Sequence, residues 1–145
     1  MLIYSIIYTG KKRVPFMQKA IIKECPGCGA QMSAREVIEK PEIKLLGMSF
    51  GPDNSPEMAY YFFQHEVENC QSSFLVPVID MIDFIEEPIP KNILALSNSC
   101  ERHCVNINDL RECRQSCYYA SFRRFLIRMV QIKRRNLSLL DKVST

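Results

Sequence analysis

The chemistry legible in this chain of 145 residues is that of sulfur. Of its seven cysteines, six fall into spaced pairs, Cys25 with Cys28, Cys100 with Cys104 and Cys113 with Cys117, and Cys70 stands alone between them. The first pair lies in Glu24-Cys25-Pro26-Gly27-Cys28-Gly29, which has the form of a metal knuckle: a tight turn after a short strand lets two thiolates and the following amides converge on one cation. Gly27 and Gly29 are expected to supply the positive φ that such a turn needs. Zinc takes four tetrahedral ligands, usually thiolate and imidazole, and the remaining candidates in this part of the chain are His65 and Cys70. A site of three thiolates and one imidazole is formally anionic around a dication, and Lys23 and nearby amides are expected to offset that charge. Cys-Pro-Gly-Cys is also the spacing of a redox pair, but that chemistry wants the motif opening a helix, and here Gly29 follows before any helix begins. The plainer readings are a surface turn histidine at His65 and a small buried residue at Cys70.

The second set is Cys100, Cys104, Cys113 and Cys117. Their Cys-x3-Cys spacings suggest a helical hairpin whose inner faces present four sulfurs. Residues four apart on a helix have Cβ atoms about 5–6 Å apart, longer than the roughly 3.5–4.5 Å of a disulfide, so bonds within a pair are disfavoured. Nested bonds, Cys100 to Cys117 and Cys104 to Cys113, are feasible. Four thiolates can equally hold zinc or ligate an iron–sulfur cluster, or they can remain reduced in a core. His103 is an alternative ligand beside Cys104, against a solvent-facing role.

The elements that must position these groups follow from periodicity and turn chemistry. Residues 20–24 are expected to form the strand that feeds the first turn. Ser33-Ala34-Arg35-Glu36 has the form of a capping box opening a short helix that Pro41 stops near residue 39. Residues 43–50 read as a strand with a bulge or close approach at Gly47, and 51–56 as a loop. Strands at 58–64 and 72–78 enclose a turn carrying His65 and Cys70. Two such turns can meet across a small antiparallel sheet. Residues 79–87 suggest a short amphipathic helix, ended by Pro88 and Pro90. Asn106 or Asn108 is expected to cap a long helix reaching about residue 135, with Tyr118, Phe122, Phe125, Met129 and Ile132 on its apolar side.

Composition narrows the classes. A chain with 47% hydrophobic and 24% charged residues is globular, and its net charge of +3 names no partner. Nine of the 19 basic residues lie between Arg111 and Lys142, opposed there by Glu112 and Asp141, so the C-terminal end is the basic end. Arg123, Arg124, Arg128, Lys133, Arg134 and Arg135 are candidates for anion binding, to nucleic acid or to a lipid surface. Their plain reading is a solvated face and complementation of the helix dipole. An odd cysteine count with a Cys-x-x-Cys favours metal in a reducing compartment over a disulfide scaffold, which makes cytoplasmic the expected location. The apolar residues 1–8 are too few for a membrane span, and their basic cluster follows them, the reverse of a signal peptide. Residues 1–16 are expected to be an extension, with Met17 a natural start. With two histidines, no glycine-rich phosphate loop and no Ser/His/Asp pattern, an enzyme is the weakest proposal.

Through residues 24–30 and 65–74 the chain resembles zinc-ribbon and rubredoxin-like knuckle proteins, and with its C-terminal cysteine pairs it is similar to small cysteine-rich bacterial proteins. The resemblance implies a structural metal at Cys25, Cys28 and Cys70, with His65 in place of the more usual cysteine; it transfers no activity. The expectation is therefore an α+β protein in three parts: the extension (1–16), a zinc-ribbon-like antiparallel sheet with a short helix (17–88), and a helical hairpin with a long basic helix (89–145). It is expected to be a non-catalytic metal-binding module, with zinc as cofactor and a protein as partner. A redox or iron–sulfur protein using the C-terminal cysteines, and a nucleic-acid-binding accessory factor, are the alternatives.

Overall fold

The computed structural model describes residues 20–51 and 57–144. The expected extension at 1–16, the start at Met17 and most of the loop at 51–56 lie outside the described residues. The chain folds as a mixed α+β structure. Strands β1 (Ile21–Glu24) and β2 (Gln31–Ser33) form an antiparallel hairpin, and helix α1 (Ala34–Glu39) follows. Strands β3 (Ile43–Phe50), β4 (Ala59–His65) and β5 (Ser72–Pro77) form a second antiparallel sheet in that order. A 3-10 helix at Val78–Phe84, a 3-10 turn at His103–Val105 and the long helix α2 (Tyr118–Ser144) complete the order.

Helix α1 begins where the capping box is. Ser33 Oγ accepts the Glu36 N–H at 3.2 Å, and the Glu36 carboxylate accepts the Ser33 N–H at 3.0 Å. Its far end is closed from outside the helix. Lys133 Nζ donates to the carbonyls of Val37 and Lys40, and Asn136 Nδ2 donates to that of Glu39, so α2 satisfies the carbonyls that a helix C-terminus leaves unpaired.

In β4 alternate residues Ala59, Tyr61, Phe63 and His65 are buried, and Phe74 and Val76 of β5 share their core. Helix α2 packs on this layer with Tyr119, Phe122, Phe125, Leu126 and Met129. The Tyr61 hydroxyl, fully buried, donates to the Phe122 carbonyl at 2.7 Å and fixes helix to sheet. A single hydrophobic core thus runs through residues on both sides of Pro88 and Pro90.

At Gly47 the sheet register shifts, and a Cβ there would lie 1.8 Å from the Ile107 carbonyl oxygen. The expected bulge is also a close approach, made by the segment that carries Cys104.

Three expected elements differ. The amphipathic helix at 79–87 is a 3-10 helix over Val78–Phe84. The long helix begins at Tyr118 and not near Asn106, and the first arm of the expected hairpin is absent: 91–117 is irregular apart from the turn at His103–Val105. The cause is local competition. Asn106 Oδ1 accepts the Asn108 N–H at 2.9 Å, Asp109 Oδ1 accepts the Arg111 N–H at 3.0 Å, and the buried Arg123 guanidinium takes the carbonyls of His103, Asp109 and Arg111. Side chains here supply the hydrogen bonds that a helical backbone would otherwise make.

Candidate metal centre

The β1–β2 turn is built around Cys25, whose N–H donates to the Ala30 carbonyl at 2.8 Å while its own carbonyl accepts the Gly29 N–H at 2.9 Å. Gly29 has φ +78°, as expected of a knuckle. Gly27 serves differently from expectation. It has no positive φ; instead, a Cβ on it would lie 1.8 Å from Ser72 Oγ and 3.1 Å from Cys70 Sγ. The missing side chain is the room into which the second turn fits.

That second turn joins β4 to β5. His65 ends the buried face of β4, and its carbonyl accepts the Val67 and Gln71 N–H groups, while Cys70 N–H donates to the Val67 carbonyl at 3.0 Å. Asn69 and Gln71, on either side of Cys70, both take the left-handed conformation, with φ 68° and 65°. Such cost is tolerated where surrounding contacts fix the turn, as they do here.

The two turns bring four ligand atoms together. Those of Cys25, Cys28, His65 and Cys70 all lie within 4.8 Å of one another, and among the described residues this is the one group of three or more that does so. Cys25 Sγ is 3.5 Å from Cys70 Sγ, and Cys28 Sγ is 3.4 Å from His65 Nδ1. Zn–S distances of about 2.3 Å and Zn–N of about 2.0–2.1 Å place tetrahedral ligands about 3.6–3.8 Å apart, so both separations are near the edge lengths of a zinc tetrahedron. Cys25 and His65 are buried and Cys28 is exposed, which gives the cluster a solvent-facing side and a core side.

The thiols are not equivalent. The Ser72 N–H is the main cause that brings Cys70 down to about 6, with help from Cys25, the Ser72 hydroxyl and His65. Cys28 receives the corresponding bond from Ala30, which lowers it, but desolvation and the Cys25 and Cys70 thiols outweigh that bond and leave it raised. Neighbouring thiols that cannot all ionise together are what a dication resolves by displacing their protons.

The second cysteine set is arranged otherwise. Cys100, Cys104, Cys113 and Cys117 are free thiols, and together with His103 they line one cavity of about 20 Å³. They ring it without converging to the separations of the first set. Cys104 is buried, and burial pushes its thiol up to about 11, against the lowering influence of Arg123. His103, expected at the surface or as a substitute ligand, is also buried, and its Nδ1 lies 2.9 Å from Asp109 Oδ2.

Half of the cations expected to form an anion-binding face are used inside the fold. Arg123 is fully buried, Lys133 is buried against α1, and Arg124 binds Glu87 through two nitrogens at 3.0 and 2.7 Å and the Cys113 carbonyl at 3.1 Å. Arg128, Arg134 and Arg135 remain exposed. The contributions of Arg123, Asp109 and Ser72 were not anticipated. For Arg123 a signal existed: it lies four residues after Tyr119 and three before Leu126, on the buried stripe.

Among the described residues no helix is long and apolar enough to cross a membrane. Comparison with protein-family models, with curated proteins and with solved structures finds no match.

Proposed function

We propose that this chain is a non-catalytic zinc protein in which Cys25, Cys28, His65 and Cys70 hold one ion that staples the β1–β2 hairpin to the β4–β5 hairpin. The observation that carries the reading is the convergence of these four ligand atoms within 4.8 Å, from turns 37 to 45 residues apart in sequence. Four protein ligands complete a tetrahedron and leave no open position for substrate or activated water, which favours a structural over a catalytic metal. Mixed thiolate and imidazole ligation suits zinc, whereas iron–sulfur clusters are held mainly by thiolates.

The stapled fold serves as an interaction or regulatory module with a protein partner. Leu137, Leu139 and Leu140, each 52% exposed near the end of α2, support this by offering apolar surface beyond the shared core. Binding to nucleic acid is the less favoured reading, because Arg123, Arg124 and Lys133 are engaged internally.

Reconstitution with Co2+ tests the site. Tetrahedral thiolate ligation gives intense visible d–d bands and near-ultraviolet sulfur-to-metal charge transfer. Cys28→Ser and Cys70→Ser should each weaken that charge transfer, and His65→Cys should strengthen it. Spectra unchanged in all three variants would place the ion elsewhere.

A further inference from the structure

We propose a second metal site in the cavity lined by Cys100, Cys104, Cys113 and Cys117, taking a single thiophilic ion of the zinc class. Four observations, independent of the ribbon centre, lead there.

The first is a shared cavity without secondary structure. Residues 91–117 form an irregular stretch with one 3-10 turn, yet all four of its cysteines face one cavity. Arg123 holds residues 103–111 of this segment, and a metal clip closing long loops would constrain the flanks that carry Cys100, Cys113 and Cys117.

The second is the treatment of the sulfurs. Arg102 N–H donates to Cys100 Sγ at 3.3 Å, Leu94 N–H donates to Cys117 Sγ at 3.3 Å, and Arg123 Nη1 lies 3.9 Å from Cys104 Sγ. The Cys100 bond comes from the amide two residues on, the relationship that Ala30 has to Cys28 and Ser72 has to Cys70 at the ribbon centre. Arg102, like the residues flanking Cys70, is left-handed, with φ 63°. Cys100 therefore sits in a turn of the kind that presents a thiolate, with amide N–H groups placed to share its charge.

The third is charge. Arg123 is fully buried; its nearest carboxylate oxygen, Asp109 Oδ1, is 3.9 Å away, and Asp109 also serves Arg111 at 2.8 Å and His103 at 2.9 Å. The second carboxylate at the cavity, Glu101, is solvent-exposed with its Oε1 4.0 Å from His103 Nε2, so inside the fold the Arg123 guanidinium stands beside Cys104 without a close carboxylate of its own. Four thiolates around a dication carry a formal charge of about −2, which such an environment accommodates.

The fourth is size. A cavity of about 20 Å³ has room for a single water-sized occupant between the four sulfurs. Binding displaces the thiol protons to solvent, forms four metal–sulfur bonds and transfers no electrons. The loop closes on the ion as the sulfurs move inward. His103 also lines the cavity, but its Nδ1 lies 2.9 Å from Asp109 and its Nε2 4.0 Å from Glu101, so the four sulfurs supply the tetrahedral set.

The test is cysteine alkylation on the intact chain, purified without oxygen, with each site mapped by mass spectrometry before and after zinc removal by a chelator. The expected result is that Cys100, Cys104, Cys113 and Cys117 are protected with zinc and alkylate at least tenfold faster after chelation, and that zinc added back restores protection. In parallel, Cys113→Ser should lose one equivalent of zinc from the wild-type content and Cys113→His should retain it; the ribbon cysteines should stay protected in both. Protection confined to Cys25, Cys28 and Cys70 overturns the second site and leaves the ribbon reading intact. Cys25, Cys28 and Cys70 alkylating freely before chelation, while the other four are protected by zinc, overturns the ribbon reading and leaves the second site intact. Resistance to alkylation that only a reductant relieves identifies disulfides and overturns the proposal. Iron with acid-labile sulfide overturns the single-ion assignment.

Discussion

Gly27 and Ser72 lie so close that a Cβ on the glycine would fall 1.8 Å from the serine hydroxyl oxygen. The two residues belong to different hairpins, and their approach sets the distance between the Cys25–Cys28 turn and the His65–Cys70 turn. Geometry at the candidate metal centre is thus fixed by a side chain that is absent. The same Ser72 supplies, through its backbone N–H, the main stabilisation of the Cys70 thiolate.

Gly27→Ala is expected to push the second turn away and lower zinc affinity at least tenfold, about 1.4 kcal/mol. Gly29→Ala is the control. Its Cβ meets nothing within 4 Å, but φ is +78°, so it should cost about 1–2 kcal/mol of stability through backbone strain with a smaller effect on affinity. Competition with a chromogenic chelator, read beside thermal melts, separates the two. Equal affinities would show that the close approach does not govern the site.

Cys25→Ser should release the ion and unfold the ribbon, because in small metal domains binding free energy is largely folding free energy. Zinc content and melting temperature should fall together. A variant keeping both at wild-type values would rule out Cys25 as a ligand.

Burial brings Lys133 down to about 7 from an ordinary 10.5, with Glu42 opposing. Its carbonyl acceptors favour the charged form; desolvation prevails. The unfolded chain therefore binds the extra proton between about pH 7 and 10.5, and stability contributed by this group rises with pH across that window. Below pH 7 the cost of burying the charge is present in full. Lys133→Met should flatten this rise, by up to a few kcal/mol relative to the wild type, in urea melts from pH 6 to 10. Parallel wild-type and variant profiles would mean that Lys133 stays charged.

Arg123→Met removes the donors that the carbonyls of His103, Asp109 and Arg111 share. A loss of about 3–5 kcal/mol is expected, as for breaking a buried charged network, and amide exchange over 103–111 should quicken more than in β4. Exchange rates unchanged in that segment would show that the loop is held by other contacts.

The N-terminal half of the chain was legible because its determinants are local. The capping box at Ser33, Pro41 after the helix, alternation in β4 and the knuckle spacing each act within a few residues, and the expected meeting of two turns followed from them. Gly27 was misread because its role depends on Ser72, 45 residues away, and not on its own φ. The C-terminal half was less legible for a related reason. Cys100, Cys104, Cys113 and Cys117 have helical spacing, but Asn106, Asp109 and the distant Arg123 take the backbone hydrogen bonds of that segment. Arg123 and Lys133 read as surface cations by residue type, although both fall on the spacing of Tyr119, Leu126 and Met129. Position on the stripe was the better guide to their burial than charge.

The most direct test of the central claim is zinc content per chain of protein purified without oxygen, for the wild type and for His65→Ala and Cys70→Ser. The account predicts a colourless wild type containing zinc, and the loss of one equivalent in each variant. Zinc content unchanged by both substitutions would contradict a centre formed by Cys25, Cys28, His65 and Cys70.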